Sequence, residues 1–586
     1  MPGLAGVIGT RDALGILEGI VARLCHRPSC RVSYHRRSGL ALAHVERPAH
    51  GLAGGTTGTA ELPAGGFCLV HGRPGTGPDG TAAADWIAAC ITGERYADLA
   101  RLGGSFHAVH TVGDRVALAA DRFGHQPLHL ARFRGGVAFA PEAQALAGLP
   151  GIDEAPDMLA IRQLLEHGHP FDQRTLLRGI ELLPPGAVAD VGPGGWIPRR
   201  YFRFDPPPVD SALTAEDLGA AMGSAVAEAL KQAGRDTTLG CMLSGGMDSR
   251  TIAAEAVALG ARPLAITFGT PGSPDVAIAE RVAAALGLEH RILSLDPARV
   301  ADALPEAALV TGGTTGVAHL VGHATNRDLA GQVDVILSGM CGDGIMGNVP
   351  ADAPQRPVRA VHGLPDIVRG RLLAPAFRRE TDEGYRVSLE ADAADYPPGT
   401  DLKVFNTFEA MRNRWRRLTL SGVVSRRIDT DVLLPFFHQP LLETAFALTP
   451  ERRRHQSAYL ESFCARHAAC SVIPWERTGR PPTAGGAPPP PARRAVRALL
   501  DRLAHAAGIA AGKKAGHFDF AAELRGSGPL ATMARDLLTD ETAARRPWLD
   551  ADGVRRLLDE HAAGRANHLH PLTRALTIEL FFRAVV

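Results

Sequence analysis

Leu243-Ser244-Gly245-Gly246-Met247-Asp248-Ser249 joins a short apolar run to a helical one. Residues 238–243 have the length and apolarity of a buried parallel strand, and residues 249–259 put Ile252, Ala256 and Leu259 on one helical face before Gly260. The seven residues therefore form a strand-to-helix turn. Gly245 and Gly246 let backbone amides come close to an anion, Ser244 and Ser249 add hydroxyls, and the helix N-terminus adds partial positive charge. Such a turn is a cradle for pyrophosphate, with Leu243 as its entry. Asp248 would repel phosphate there unless a hard cation lay between them, so the motif predicts Mg²⁺ bridging carboxylate and phosphate oxygens. No Lys follows the last glycine, which sets the loop apart from a Walker-type one. The expected chemistry is cleavage of ATP to AMP and pyrophosphate.

Outward from this loop, strand and helix patterns alternate. A helix near 215–233 precedes the loop; a strand at 264–268, a helix from Asp275, and strands from Leu288 and at 333–337 follow. Alternation of this kind implies a parallel sheet that binds ligands at the carboxyl ends of its strands. Thr267 and Phe268 lie at one such end. Ser338-Gly339-Met340-Cys341-Gly342-Asp343-Gly344 lies at another, and its glycine-rich turn supplies a second acidic residue. Asp248 and Asp343 are thus the expected metal ligands, with Gly339 and Gly342 lining the nucleotide site. Beyond residue 400 the pattern reads as mostly helical, with an apolar knot at 433–437. The proline-rich stretch 478–494 reads as a loop over the surface, either a lid or an uninvolved one.

Composition narrows the substrate class. The 586 residues are too many for one ordinary core, and 45% are hydrophobic, as in a globular protein. A net charge of +1 creates no field that would draw in nucleic acid or an anionic membrane, so a small molecule or peptide fits better. Eight Cys lack both a disulfide framework and zinc-type spacing, which suggests free thiols in a reducing cytosol. No membrane-length apolar run or signal segment is seen, and a cytoplasmic location is expected.

The first half, to about residue 201, is rich in short apolar pieces between glycines, such as those at 66–70, 116–120 and 137–140, and reads as a β-rich domain. Asp205-Pro206-Pro207-Pro208 then breaks regular structure. The boundary is set there, giving domains 1–205 and 206–586.

These residues resemble the asparagine synthetase superfamily, and within it the lasso peptide macrolactam synthetases. The likeness rests on the 243–249 loop, the 337–347 loop and Leu434-Pro435-Phe436-Phe437-His438, where the family usually has Asp in place of His438. In the first half it rests on Gly3-Leu4-Ala5-Gly6-Val7-Ile8-Gly9, on Asp121-Arg122-Phe123-Gly124-His125-Gln126-Pro127-Leu128 and on Phe139-Ala140-Pro141-Glu142. The resemblance implies an α/β protein in two parts. Residues 1–205 would be a degenerate glutamine amidotransferase-like domain, of the Ntn-type α+β fold but without its nucleophile. Residues 206–586 would be an asparagine synthetase-like ATP-pyrophosphatase domain, a parallel-sheet fold like the adenine-nucleotide α-hydrolases, with a helical tail.

Departures from the family decide the nitrogen donor. Glutamine-dependent members carry a Cys nucleophile where this chain has Pro2, and proline has no thiol to form a glutaminyl thioester. The glutamine-binding Asn-Gly-Glu is replaced by His71-Gly72-Arg73, and an expected acidic residue is missing around Gly103. Members without the Cys close a ring with an amine already on the substrate. The tail, including 473–482, 561–565 and 576–583, looks like the lasso cyclases. The resemblance thus implies adenylation of an Asp or Glu side chain of a precursor peptide, then capture by its N-terminal amine, with ATP and Mg²⁺ as cofactors. Partners would be the precursor peptide, a leader-recognition protein and a leader peptidase. Arg477 stands where β-lactam relatives have a Lys and would stabilise charge electrostatically. Met340 replaces a Glu or Tyr of relatives and cannot act as a base; Glu409 is a candidate base, set against a reading as a solvated helix face. His319 and His323, four apart as on one helical face, read as packing or hydrogen-bonding residues near the peptide pocket. Alternatives are a β-lactam-forming or ammonia-dependent ligase acting on a small acid, and a catalytically silent nucleotide-binding partner.

Overall fold

A computed structural model describes residues 1–37, 39–47, 57–62, 66–347, 363–394, 406, 409–483 and 517–585. The first half is built on two stacked antiparallel sheets of six strands. In one, Gly3–Ile8 lies between Leu40–Glu46 and Gly136–Ala140. Its side chains alternate as a strand requires: Leu4 and Ile8 face the second sheet, while Ala5 and Val7 face the helix Ala13–Leu24. In the other sheet, Gly66–Pro74, Gly104–Val112 and Arg115–Ala120 are neighbours, and the helix Ala83–Thr92 covers the outer face with Ile87 and Ile91. Helix, sheet, sheet and helix form four layers, an Ntn-like arrangement.

The second half contains a five-stranded parallel sheet in the order His290–Ser294, Leu264–Gly269, Leu239–Met242, Val335–Leu337, Asp431–Leu433. The chain enters at the middle strand, builds outward on one side, then crosses to the other. The strand order therefore reverses at the carboxyl end of Leu239–Met242, where a doubly wound sheet opens a crevice. Local signals agree with the helices flanking it. Thr214 and Asp217 form a capping box on Ala215–Ala233, and Ser273, Pro274 and Gly287 bound Pro274–Leu286. Beyond residue 400, where the pattern reads as mostly helical, Asp431–Leu433 is a fifth strand that the pattern did not mark. Three residues are too few to show a period, and the segment becomes a strand by pairing with Val335–Leu337.

The stretch 201–214 has no regular structure, yet the cores on either side of it are continuous. Leu146, Leu164 and Leu177 of the first half share one apolar cluster with Leu304, Leu320, Leu572 and Phe581 of the second. Buried guanidinium groups lace the two halves together. Arg416 donates to the carbonyls of Gly124 and Leu183, Arg417 to those of Asp172 and Arg174, and Arg27 to Glu306 and Asp429. Among the described residues, no helix is long and apolar enough to cross a membrane.

Candidate active site

The loop after Leu239–Met242 is held open by its own hydrogen bonds. The Ser244 amide donates to Ser249 Oγ at 3.0 Å, the two hydroxyls lie 2.9 Å apart, and the Gly246 amide donates to Ser244 Oγ at 3.2 Å. The Gly245 amide donates to Asp275 Oδ1 at 2.6 Å, so a carboxylate that sequence reasoning passed over shapes the cradle. Asp275 gave no signal because it also reads as an ordinary first-turn acid of its helix. Ser249 and Asp248 sit in the first turn of Met247–Ala258, with its N-terminal amides facing the crevice.

The second acidic loop approaches this turn very closely. A Cβ on Gly339 would lie 2.7 Å from the Ser249 amide nitrogen, and one on Gly342 would lie 2.6 Å from Asp248 Cγ and from the Phe436 ring. Only glycine fits at either position. The preceding Cys341 takes a left-handed conformation, φ 68°, which turns the loop toward Asp248. Asp248 is enclosed and Asp343 is exposed at the crevice. Burial first, and the facing Asp343 second, push the Asp248 carboxyl up to about 7, while Tyr459 and the Asp343 amide hydrogen-bond to it. Its Oδ1 has no hydrogen-bond partner among the described residues. An orphaned carboxylate oxygen facing a second carboxylate fits a divalent cation, whose charge would remove both penalties. Asp248 and Asp343 would hold Mg²⁺, with nucleotide phosphates completing its shell. Among the described residues, no cluster of three or more His, Cys, Asp or Glu offers a metal site made by protein alone.

Behind the loop, Arg250 is fully buried and donates to the carbonyls of Gly245, Cys470, Ile473 and Pro474. It fastens the 470–474 segment to the cradle, where the Glu476 amide also donates to the Gly245 carbonyl at 3.2 Å. Arg477 follows on the surface, its guanidinium 4.7 Å from the centroid of Trp475 and its charge reaching Asp248. The described part of the proline-rich stretch, 478–483, leaves a tight turn that closes by the Trp475 amide on the Arg480 carbonyl; 484–494 lies outside the described residues.

The other candidates are placed as follows. Thr267 is buried, with its hydroxyl bonded to the Leu243 carbonyl and His290, so it braces the loop's entry. Phe268 packs edge-on against His517 and beneath Arg426. Met340 is part of the second loop. Glu409 is buried rather than on a solvated face, because the following turn, Ala410–Thr419, is a π-helix packed inside the molecule. His319 and His323 do not share a helix; the Thr311-Gly312-Gly313 bend gives way to two short 3₁₀ turns. His323 is bonded to Glu306 and Asn326, whereas His319 stacks 6.4 Å from His570. His438 lines a small cavity between the halves with Arg122, His125 and Ser105.

The region matching the glutamine site is filled. Pro2 is buried, His71 is bonded to His44 and stacked on His107, and Arg73 donates to Asp431 Oδ2 at 2.9 Å and to the Ala233 carbonyl. Arg47 reaches the same Asp431 carboxylate. Burial pushes that carboxyl upward, but the two guanidinium groups outweigh it and hold it below the usual range. The Arg73 side chain thus bridges the halves at the place where a glutamine ligand would be needed.

Comparison with known proteins gives two family matches. The model of asparagine synthase matches residues 220–583, and that of a glutamine amidotransferase domain matches 88–202. The chain is similar to a putative glutamine-hydrolyzing asparagine synthetase of Mycobacterium tuberculosis, 29% identical over 321 residues, covering 49% of this chain and 48% of that protein. It is also similar to the carboxyethyl-arginine beta-lactam-synthase of Streptomyces clavuligerus, 30% identical over 211 residues, 35% of this chain and 38% of that protein. The chain therefore spans about half the length, or less, of these relatives. Among solved structures, the Bacillus subtilis glutamine phosphoribosylpyrophosphate amidotransferase complexed with ADP and GMP overlaps 50% of this chain and 65% of its own at 12% identity, with a TM-score of 0.25.

Proposed function

Because the chain belongs to the asparagine synthase family, we propose that it is an ATP-dependent, AMP-forming carbon–nitrogen ligase, and specifically a lasso peptide macrolactam synthetase. The observation that carries the ligase reading is the orphaned Asp248 Oδ1 facing Asp343 across a serine and glycine cradle. A carboxylate of the substrate attacks the α-phosphorus of ATP and expels pyrophosphate, which the 244–249 donors receive. Mg²⁺ held by Asp248 and Asp343 supplies charge neutralisation on the phosphates. An amine then attacks the acyl carbon, and AMP leaves. Glu409, buried beside the π-helix, is the candidate acceptor of the amine's proton, a role that Met340 cannot fill. Arg477 adds positive charge on the open side of the cradle.

The filled glutamine region supports an amine already present on the acid substrate. For a peptide cyclase this is the freed N-terminal amine, and the acid is an internal Asp or Glu side chain. Holding the two together supplies the effective concentration that ring closure needs. A leader-recognition protein and a leader peptidase would deliver such a substrate, in the cytoplasm. The beta-lactam-synthase relative favours a second reading, ring closure or amidation of a small acid. A silent nucleotide-binding partner would have no need of the paired carboxylates.

The test is pyrophosphate release with ATP, Mg²⁺ and leader-free peptides bearing an internal Asp or Glu. The peptide reading expects release together with a product one water lighter. Release with small amino acids alone transfers the assignment to the second reading, and no release with any acid removes the ligase assignment.

A further inference from the structure

The π-helix Ala410–Thr419 carries four arginines, and three are committed to the fold. Arg412 pairs with Asp172, while Arg416 and Arg417 bind carbonyls of the first half. Arg414 makes no hydrogen bond or ion pair among the described residues. Its position is fixed by its neighbour: a Cβ on Gly344 would lie 2.7 Å from the Trp415 ring, so this turn abuts the acidic loop. The Arg414 charge is felt by the Glu409 carboxylate first, then by Cys341 and Asp343, and also by His319, His570 and Arg574. Arg574 is occupied by the carbonyls of Leu165 and Glu166.

His319 and His570 share the condition of Arg414. Their rings are parallel, 12° apart, and neither imidazole has a hydrogen-bond partner among the described residues. Both residues are open to solvent. Even so, desolvation first, and the charges of His570, Arg414 and Arg574 after it, bring the His319 imidazole down to about 4. The stacked pair thus lies at the surface with other protein groups packed around it. A guanidinium and two imidazoles that make no hydrogen bond among the described residues, gathered near the acidic loop, form a seat for an oxyanion other than pyrophosphate.

We propose that Arg414, with His319 and His570, forms the subsite that binds the carboxylate of the acid substrate, opposite the pyrophosphate cradle. This rests on reading the chain as a ligase that activates an acid. The guanidinium fork suits the planar carboxylate, and neutral imidazoles donate without trapping it in a second ion pair. An alternative source of the same oxyanion chemistry is the α-phosphate of the nucleotide.

The test uses glutarate, a simple carboxylate probe, with the full chain in Mg²⁺ buffer containing α,β-methylene-ATP, and reads binding by saturation-transfer NMR. Unaltered protein should bind glutarate and not the uncharged glutaramide. Arg414→Met should weaken glutarate by about tenfold or more, with Arg414→Lys intermediate, and α,β-methylene-ATP affinity should change by less than about twofold. The paired substitutions His319→Ala and His570→Ala, at exposed positions, should weaken glutarate by about threefold and provide the same test if Arg414→Met does not fold. Glutarate binding absent from the unaltered protein, or unchanged in the variants, overturns the proposal. So does an equal loss of α,β-methylene-ATP, which would assign Arg414 to the nucleotide phosphate. Pyrophosphate release is read separately: a protein that holds glutarate through Arg414 but releases no pyrophosphate with any acid keeps the subsite and loses the ligase reading.

Discussion

Asp248 and Asp343 face each other where the two loops meet. Two carboxylates brought together without a cation disfavour one another, so Asp248→Asn should remove pyrophosphate release by about a hundredfold or more while leaving the fold intact. In thermal melts with ATP present, Mg²⁺ should raise the midpoint of the unaltered protein and leave that of the variant unchanged. Equal stabilisation of both would place the metal elsewhere. That the two glycine-rich loops lie at the carboxyl ends of sheet strands was legible from the alternation of strand and helix patterns, and the structure brings them into contact. Asp275 and Arg250 were not legible: one looks like a routine first-turn acid, the other like any helical arginine, and only the folded chain brings Asp275 to the Gly245 amide and Arg250 to the Pro474 carbonyl.

Between elements, the close fit of the two loops is the decisive feature. Gly342→Ala would push a methyl group to 2.6 Å from Asp248 Cγ, and displacing that carboxylate should lower turnover by about a hundredfold with little change in the melting midpoint. Unchanged turnover would show that the loops do not act together. Arg250→Met should cost about 2–4 kcal/mol in chemical denaturation, because the carbonyls that it serves are left buried without donors. The strands Leu239–Met242, Leu264–Gly269 and His290–Ser294 could be read from apolar runs between helical periods. Asp431–Leu433 could not, and the π-helix Ala410–Thr419 hides its extra residue per turn among arginines that look solvated until partner carbonyls from the first half are in place.

In the whole molecule, the first half is clamped to the second by buried guanidinium groups. Breaking the clamp by Asp431→Ala leaves Arg47 and Arg73 buried without their carboxylate, an expected loss of about 3–5 kcal/mol in chemical denaturation. Such pairings join residues far apart in sequence and have no local signature. The domain order was legible from the proline break and the change of period, but the shared core was not. Buried histidines give the first half an acid limit: burial brings His44 down to about 4 and His107 and His129 to about 3. The unfolded chain takes up these protons near pH 6.5 while the folded one does not, so stability should fall as pH drops from about 6.5 toward 4. Melting midpoints that stay flat between pH 7 and 5 would contradict this. The central claim is that an acid becomes a mixed anhydride with AMP at the Asp248 cradle, and heavy-oxygen labelling of the substrate carboxylate tests it most directly. One labelled oxygen per product should appear in AMP; label that stays out of AMP while product forms, or that appears in pyrophosphate, would contradict the account.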